Sequence, residues 1–316
     1  MRYKIALCLF LILSCFSFNS FSQAYKNEFG FKSDNDAYLF YGQDRYYTNG
    51  LMLFFRRATD QHKLGEKLEK FTYEITAGQK MFNPQSGAAG KISQQDRPFA
   101  GYLYAGGSAN FFYKKENILK TTLELGTVGP SALGEDAQKL LHKTVGFYPI
   151  DGWQYQVKDK LSANLTVQYT SLLHRSEYGK IDFSFEGYAN VGTTFSGAGA
   201  GILMRTGNIN QLFQSAYTNS TIGYHPKTAK LVTEETFFYA KPQLNFVAHD
   251  GTIQGKTLNE GRAYELKKIV FAQQIGFNYS SKRFTFDFGL LFKTKEVKDI
   301  IHAHQYGTIS MFYRFN

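Results

Sequence analysis

The sequence Phe-Thr-Phe-Asp-Phe-Gly-Leu-Leu-Phe-Lys, residues 284–293, places an apolar side chain at every second position. Because successive side chains of a β-strand point to opposite faces, one face of this segment is apolar and the other is more polar. Alternation over about ten residues is typical of strands that cross a membrane, with the apolar face towards lipid. A soluble sandwich has shorter strands, so the segment predicts a transmembrane β-strand.

The same alternation recurs along the chain, clearly at 161–170 and 181–191 and again where Ile309, Met311, Tyr313 and Phe315 share one face. We therefore predict an all-β protein, a transmembrane antiparallel β-barrel of about 12 strands, an even number as in single-chain bacterial barrels. The main irregular excursions are expected at 130–158 and 207–230. The candidate strands are 25–36, 47–58, 69–81, 100–114, 117–128, 160–173, 180–194, 198–206, 233–248, 263–280, 282–296 and 304–315.

The composition supports a barrel and excludes helical membrane spans. Aromatic residues make up 17% of the chain, with 30 Phe and 22 Tyr but a single Trp. Beyond residue 22 no run of about 18 apolar residues occurs, which a spanning helix would need. Bands of aromatic residues at both membrane interfaces are a property of transmembrane barrels.

The first residues have the pattern of a secretory signal peptide. A basic start precedes an apolar run at 5–18, and small residues then occupy the positions of a cleavage site. We predict a signal peptide at 1–22 and a single outer-membrane β-barrel domain at 23–316, with acylation of Cys15 as the alternative. Both cysteines of the chain, Cys8 and Cys15, fall in the signal peptide, so the mature protein is expected to lack disulfides and thiol ligands.

The positive charge of the chain does not indicate a nucleic-acid partner. The formal net charge is +10 and falls to +8 once Arg2 and Lys4 are removed with the signal peptide. Nucleic-acid binders cluster such charge with exposed aromatic residues. Here basic pairs are scattered near strand ends, where they could contact phosphorylated lipid headgroups or simply be solvated. We expect outer-membrane lipids as partners, no nucleic acid and a monomer.

A short helix is predicted at 131–142, within sequence that otherwise predicts strands. Acidic residues at its start and a lysine after its end suit the two poles of a helix dipole. Gln138 and His142 are four residues apart, so they share one face of the helix. A lone histidine is more often structural than catalytic, and the pair is a candidate site because of what surrounds it.

Two polar clusters interrupt the predicted strands near the N-terminus. Asp34-Asn35-Asp36 follows the first strand, and Asp44-Arg45-Tyr46-Tyr47-Thr48-Asn49-Gly50 leads into the second. Carboxylate, amide, hydroxyl and backbone oxygens are the ligands that Ca²⁺ takes. Either cluster alone is also compatible with an ordinary turn at a strand end.

Taken together, these elements resemble the lipid A 3'-O-deacylases of the Gram-negative outer membrane over essentially the whole mature chain. The resemblance implies a twelve-stranded barrel with its active site at the outer-leaflet end and Ca²⁺ as cofactor. Its most specific parts are Asn35-Asp36, the Tyr47–Gly50 element, the Asp96–Leu103 element, the segment from Gly129 to Trp153 and the Gln254–Leu258 loop.

The resemblance also implies a role for each candidate residue. His142 would be the general base that activates water, and Gln138 would donate to the developing oxyanion. Asp36 and backbone oxygens around Gly50 would hold Ca²⁺, which polarises the ester carbonyl. Asn35 and Thr48 would position substrate or support the metal.

The chain departs from the family pattern in two places. An acidic residue that the family can carry six positions after the histidine is Tyr148 here, with Asp151 nearby as a possible substitute. A substrate-binding lysine of the family corresponds to Lys91, or less well to Lys80. The implied substrate is lipid A within lipopolysaccharide, at its 3'-linked acyloxyacyl ester.

Two other functions remain open at this stage. An outer-membrane phospholipase A needs a serine nucleophile beside its histidine, and Ser131 lies about three helical turns before His142. A porin or other non-enzymatic barrel would not require the Gln138 and His142 pair, and twelve strands enclose little open lumen.

Overall fold

The structure, a computed structural model, describes residues 25–39, 44–61, 64–223, 230–259, 263–298 and 300–316. The predicted signal peptide and its cleavage site lie outside these residues. Within them, twelve antiparallel strands close into one barrel, each pairing with its neighbours in sequence and β1 pairing with β12. The predicted fold class is confirmed. The strands are β1 Asn27–Asn35, β2 Tyr46–Ala58, β3 Leu68–Asn83, β4 Ala100–Tyr113, β5 Asn117–Val128, β6 Lys160–Arg175, β7 Ile181–Gly192, β8 Phe195–Asn208, β9 Glu235–Asp250, β10 Ile269–Ser280, β11 Phe284–Lys293 and β12 His304–Phe315.

The alternation of the sequence separates the two faces of the wall. Phe286, Phe288 and Phe292 of β11 are exposed on the outside, whereas Thr285, just before Phe286, is buried in the lumen. β6 and β7 follow the same rule and expose an outer band of apolar residues, Leu161, Leu165, Val167, Tyr169, Ile181, Phe183 and Val191. This band is the surface that a barrel of this kind presents to lipid.

The short helix near 131–142 is present, but its bounds differ from the prediction. A 3₁₀ turn spans Pro130–Ala132, and the α-helix α1 then spans Gly134–Val145. Leu133 separates the two in a left-handed conformation with φ of 56°, and Gly146 with φ of 78° ends the helix. The helix therefore begins after the break at Leu133 and runs on to the glycine, where a left-handed residue costs little.

The other helical segments with bounds inside the described residues are short and lie in the connections between strands. They are the α-helix α2 at Gly251–Gln254 and the 3₁₀ turns Asp36–Leu39, Ile92–Gln94, Trp153–Tyr155 and Leu212–Gln214. No helix among the described residues is long and apolar enough to cross a membrane.

The connection between β8 and β9 folds back into one end of the lumen, which we call the terminal end because β1 begins and β12 ends there. Residues 209–223 form this inner plug. Leu212 and Phe213 pack against Phe112 of the wall, and Ile209 packs against Phe237. Long connections at this end are unusual in such barrels, where the turns on the side of the termini are short.

The opposite end, which we call the site end, is covered by an upper cap. Its apolar core is formed by Tyr46, Ile253, Tyr264, Leu266, Val297 and Ile300. Residues 263–268 belong to this cap, which explains why β10 begins at Ile269 and not at the predicted residue 263. Between the plug and the cap lie polar cavities of about 420 Å³ and 610 Å³.

Candidate active site on the outer wall

Helix α1 packs on the outside of the barrel, against the upper ends of β3 and β4. Gln79 lies on the outer face of β3, and its Nε2 donates a 2.6 Å hydrogen bond to the carbonyl of Ala132. Met81, two residues further on the same face, is only 3% exposed. A Cβ atom at Gly101 of β4 would lie 3.0 Å from the Cβ of Ala132, so glycine allows the close approach. The predicted site therefore lies outside the lumen.

His142 is held through both of its ring nitrogens. Nδ1 lies 2.6 Å from the carbonyl oxygen of Tyr148, which can only accept, so Nδ1 carries the proton of this hydrogen bond. Nε2 lies 2.9 Å from Oδ2 of Asp44, a contact that lacks hydrogen-bond geometry. The side chain is 4% exposed. The arrangement orients the ring and leaves Nε2 as the nitrogen available for proton transfer.

Asp44 and Asp36 meet across the hydroxyl of Thr48. Thr48 Oγ1 lies 3.2 Å from Oδ1 of each carboxylate. The backbone N–H of Arg45 donates to the other oxygen of Asp36 at 2.8 Å. Burial and the nearby charge of Asp44 raise the pKa of Asp36 to about 8, although the Arg45 N–H opposes the shift. Two buried carboxylates this close favour either a shared proton or a bound cation.

The oxygen donors of this pair fit a hard cation. Asp36, Asp44 and Thr48 offer carboxylate and hydroxyl oxygens, the ligand type that Ca²⁺ prefers, and Ca²⁺ completes its shell with backbone oxygens and water. Within the described ranges no group of three or more His, Cys, Asp or Glu side chains has metal-binding geometry. The chemistry of the pair therefore fits calcium with two carboxylate ligands from the protein.

Asn35 and Gly50 lie close to the acid pair along the chain, with different environments. Asn35 Oδ1 accepts the backbone N–H of Ala37 at 2.7 Å and so starts the turn that carries Asp36. Gly50 lies within β2, opposite Asp34 on one side and Lys80 on the other. The positioning role of Asn35 and the calcium role of Gly50 stay predictions.

Gln138 presents an unpaired donor. Its Oε1 accepts the indole N–H of Trp153 at 2.9 Å, so the amide is oriented with Nε2 on the other side. That Nε2 is buried and has no hydrogen-bond partner among the described residues. Gly87 lies next to it, since a Cβ atom there would be 3.1 Å from Nε2 and 3.1 Å from the Tyr148 hydroxyl. A free, oriented N–H at this position can stabilise a developing negative charge.

The two candidate lysines lie in different environments. Lys91 is exposed at the start of the turn Ile92–Gln94, and its backbone N–H donates to Gln94. Its role in substrate binding stays a prediction. Lys80 points into the lumen, where its ammonium group lies 5.3 Å from the ring of Tyr104. The wall therefore stands between Lys80 and α1.

Sequence reasoning missed the residues that join these elements. Asp44 begins the Asp44–Gly50 cluster, where the sequence pattern assigned it no role, although it contacts His142. Tyr148 stands where an acid was expected, and its hydroxyl donates to Asp44 Oδ2 at 2.5 Å across 104 residues of sequence. Asp151, the expected substitute, instead accepts from Gln154 at 3.4 Å. The clue to Asp44 was its spacing of four residues from Thr48, but nothing in the sequence linked it to α1.

Comparison with known proteins gives a family and a fold. The family model described as "Outer membrane protein LpxR" matches residues 5–315. LpxR from Salmonella typhimurium is 20% identical, with 91% of this chain and 100% of that chain covered and a TM-score of 0.74. The β-domain of the Bordetella autotransporter BrkA is 10% identical, with 93% and 100% covered and a TM-score of 0.51. At such identities the likeness to solved structures shows the fold alone. No curated protein matches the chain significantly.

Proposed function

This chain belongs to the LpxR family of outer-membrane proteins, and from this premise we propose that it is a lipid A deacylase. It is an integral β-barrel of the outer membrane. Its proposed reaction is hydrolysis of the 3'-linked acyloxyacyl ester of lipid A, with Ca²⁺ as cofactor and lipopolysaccharide of the outer leaflet as substrate. We also propose that it acts as a monomer and has no nucleic-acid partner.

The observation that carries this proposal is the position of the cluster on the outer wall. An imidazole, an unpaired amide donor and two carboxylates lie between α1 and the upper ends of the strands. A lipid ester can reach this place from within its own leaflet, without entering the lumen. A lumenal solute could not reach it without crossing the wall.

The roles of the residues follow from their contacts. Water attacks the ester carbonyl carbon and gives its proton to Nε2 of His142, whose ring is held by Tyr148. Gln138 Nε2 donates to the oxyanion of the tetrahedral intermediate. The carbon–oxygen bond to the sugar then breaks, and His142 returns the proton to the leaving sugar oxygen. The products are a carboxylic acid and a free hydroxyl group.

Ca²⁺ would support the proposed hydrolysis. Asp36 and Asp44 would hold the ion, with the Thr48 hydroxyl within hydrogen-bond distance of both carboxylates. When bound, Ca²⁺ would polarise the ester carbonyl as a Lewis acid. Family resemblance adds Gly50 as a backbone ligand and Lys91 as a contact for the substrate.

The two alternatives are less well supported. A phospholipase of the serine type needs a serine hydroxyl in contact with its histidine. The ring nitrogens of His142 instead contact the Tyr148 carbonyl and the Asp44 carboxylate. Ser131 instead donates its backbone N–H to Asp159 at 2.7 Å. A channel needs an open lumen, whereas the inner plug and the upper cap cover both ends of the described barrel.

Mass spectrometry of lipid A from cells with and without the gene tests the proposal. We expect loss of the 3'-linked chains, abolished by His142→Ala or by chelation of Ca²⁺, and retained in His174→Ala. His174 is an exposed histidine of β6 near the terminal end, so it is a matched control. Unchanged lipid A with released lysophospholipid would establish the phospholipase instead, and absence of any product would exclude both enzymes.

A further inference from the structure

Helix α1 has two chemically different flanks besides the face that packs on the barrel. The packed face carries Gly134, Gln138 and His142, which are all buried. Spacings of three and four residues place the remaining side chains on two sides of this face. One flank is mainly apolar and consists of Ala137, Leu140, Leu141 and Thr144, with Leu133 directly before the helix. The other flank is charged and consists of Glu135, Asp136, Lys139 and Lys143.

The apolar flank is the part of the helix that its own fold leaves uncovered. Leu140 is 68% exposed and Leu133 is 53% exposed. Val145 and Phe147, at the end of the helix and just beyond it, are 51% and 49% exposed. On the charged flank, Lys139 and Glu135 form an exposed ion pair at 2.6 Å. The helix thus exposes charged side chains, which water solvates well, on one flank. On the other flank it exposes apolar side chains.

The apolar flank is continuous with the lipid-facing band of the barrel. The hydrogen bond from Gln79 ties the start of α1 to β3, and Gln79 pairs directly with Leu103 of β4. Leu103 is an exposed outer residue, as are Leu125 and Leu161 on the next two strands. Because Leu133 follows Ala132 directly, the exposed leucines at 133 and 140 begin close to Gln79 and Leu103 of the wall.

We propose that α1 is an interfacial helix whose apolar flank is immersed in the acyl chains of the outer leaflet. The charged flank then lies at the level of the headgroups, as in amphipathic helices that lie in a membrane surface. The occupant of the apolar flank is membrane lipid, because the flank extends a surface that lipid already covers. This inference rests on the outer-membrane location and on the packing of α1, and it holds whether or not the protein hydrolyses lipid A.

Spin labels on the two flanks test this placement. Single cysteines are introduced at Leu140→Cys and Lys139→Cys, adjacent residues on opposite flanks, in a Cys8→Ala, Cys15→Ala background. The full barrel is reconstituted in dimyristoylphosphatidylcholine vesicles, and its folding is checked by heat-modifiable gel mobility. Collision of the label with oxygen and with a water-soluble nickel complex then reports immersion, and Leu123→Cys of the lipid-facing band is the reference.

We expect the ratio of oxygen to nickel accessibility at position 140 to be at least about threefold greater than at position 139, approaching that at position 123. Leu133→Cys and Asp136→Cys should repeat the contrast one to two turns earlier, so the result does not depend on one variant. Equal ratios at 139 and 140 would overturn the proposal. Dipolar broadening between labels at 140 would also overturn it, because a second copy of the chain would then cover the flank.

Discussion

The two ends of the barrel treat their buried carboxylates in opposite ways. At the terminal end, Asp182 is bound by Arg205 at 2.6 Å and by Arg175 at 3.0 Å. Glu235 likewise accepts two backbone N–H groups of the inner plug, from Asn210 and Ala216. These ionic groups satisfy one another and fix the plug in the lumen.

At the site end, several buried polar groups lack a hydrogen-bond partner among the described residues. Nε2 of Gln138, Nε2 of His142 and both amide atoms of Asn83 have no hydrogen-bond partner within the described parts of the chain. The pKa of Asp36 is raised because burial and Asp44 disfavour its charge. Unpaired buried groups cost stability, typically about 1–3 kcal/mol each. The contrast teaches that the buried carboxylates of the terminal end are neutralised by protein donors, whereas Asp36 and Asp44 at the site end keep binding capacity for a ligand.

The largest effect should come from removing a paired, buried carboxylate at the terminal end. Asp182→Ala leaves the guanidinium of Arg205 buried without its carboxylate, and we expect a loss of about 3–5 kcal/mol in the free energy of unfolding. Urea unfolding in lipid vesicles, followed by the fluorescence of Trp153, measures it. Glu135→Ala removes an exposed ion pair of α1 and should cost less than about 1 kcal/mol. Similar losses in both variants would contradict the contrast between the ends.

An intermediate effect is expected from the proton that Asp36 holds. The pKa of Asp36 is about 8, so at lower pH this carboxyl is mainly protonated in the metal-free protein. Calcium must then displace the proton to bind. The affinity for Ca²⁺ should therefore rise by up to about tenfold per pH unit as pH increases towards 8 and level off above it. Titration calorimetry at several pH values checks the slope. Asp151→Asn should keep the slope, whereas a flat profile in the wild type would contradict it.

The smallest effect should come from removing the hydrogen bond that orients the Gln138 amide. Trp153→Phe keeps an aromatic ring against Phe99 but removes the N–H that fixes Gln138. We expect kcat on lipid A to fall about fivefold with KM unchanged, since one neutral hydrogen bond is worth about 1 kcal/mol.

A double-mutant cycle separates this positioning role from a structural one. In a Gln138→Ala background the Trp153→Phe change should have no further effect on kcat, because the indole acts through the amide. Tyr155→Phe, in the same 3₁₀ turn, is the control and should leave kcat unchanged. An undiminished loss in the Gln138→Ala background would show that Trp153 acts elsewhere.

The barrel and its outward face followed from sequence because both depend on local order. Alternation at Phe284–Lys293 has the period of a strand, and that period alone decides which side chains face lipid. The prediction was wrong at 263–268, where apolar residues enter the upper cap and not β10. It was also shifted by three residues at α1, because Leu133 takes a left-handed conformation that the pattern did not indicate.

The sequence by itself determined the twelve strands, their lipid-facing sides and the shared helical face of Gln138 and His142. Only the tertiary structure decided that α1 lies outside the wall, that Asp44 contacts His142 and that Tyr148 bonds to Asp44. The reason is physical. Periodicity is a property of neighbouring residues, whereas these contacts join segments that meet only after the barrel has closed and α1 has packed on its outer face.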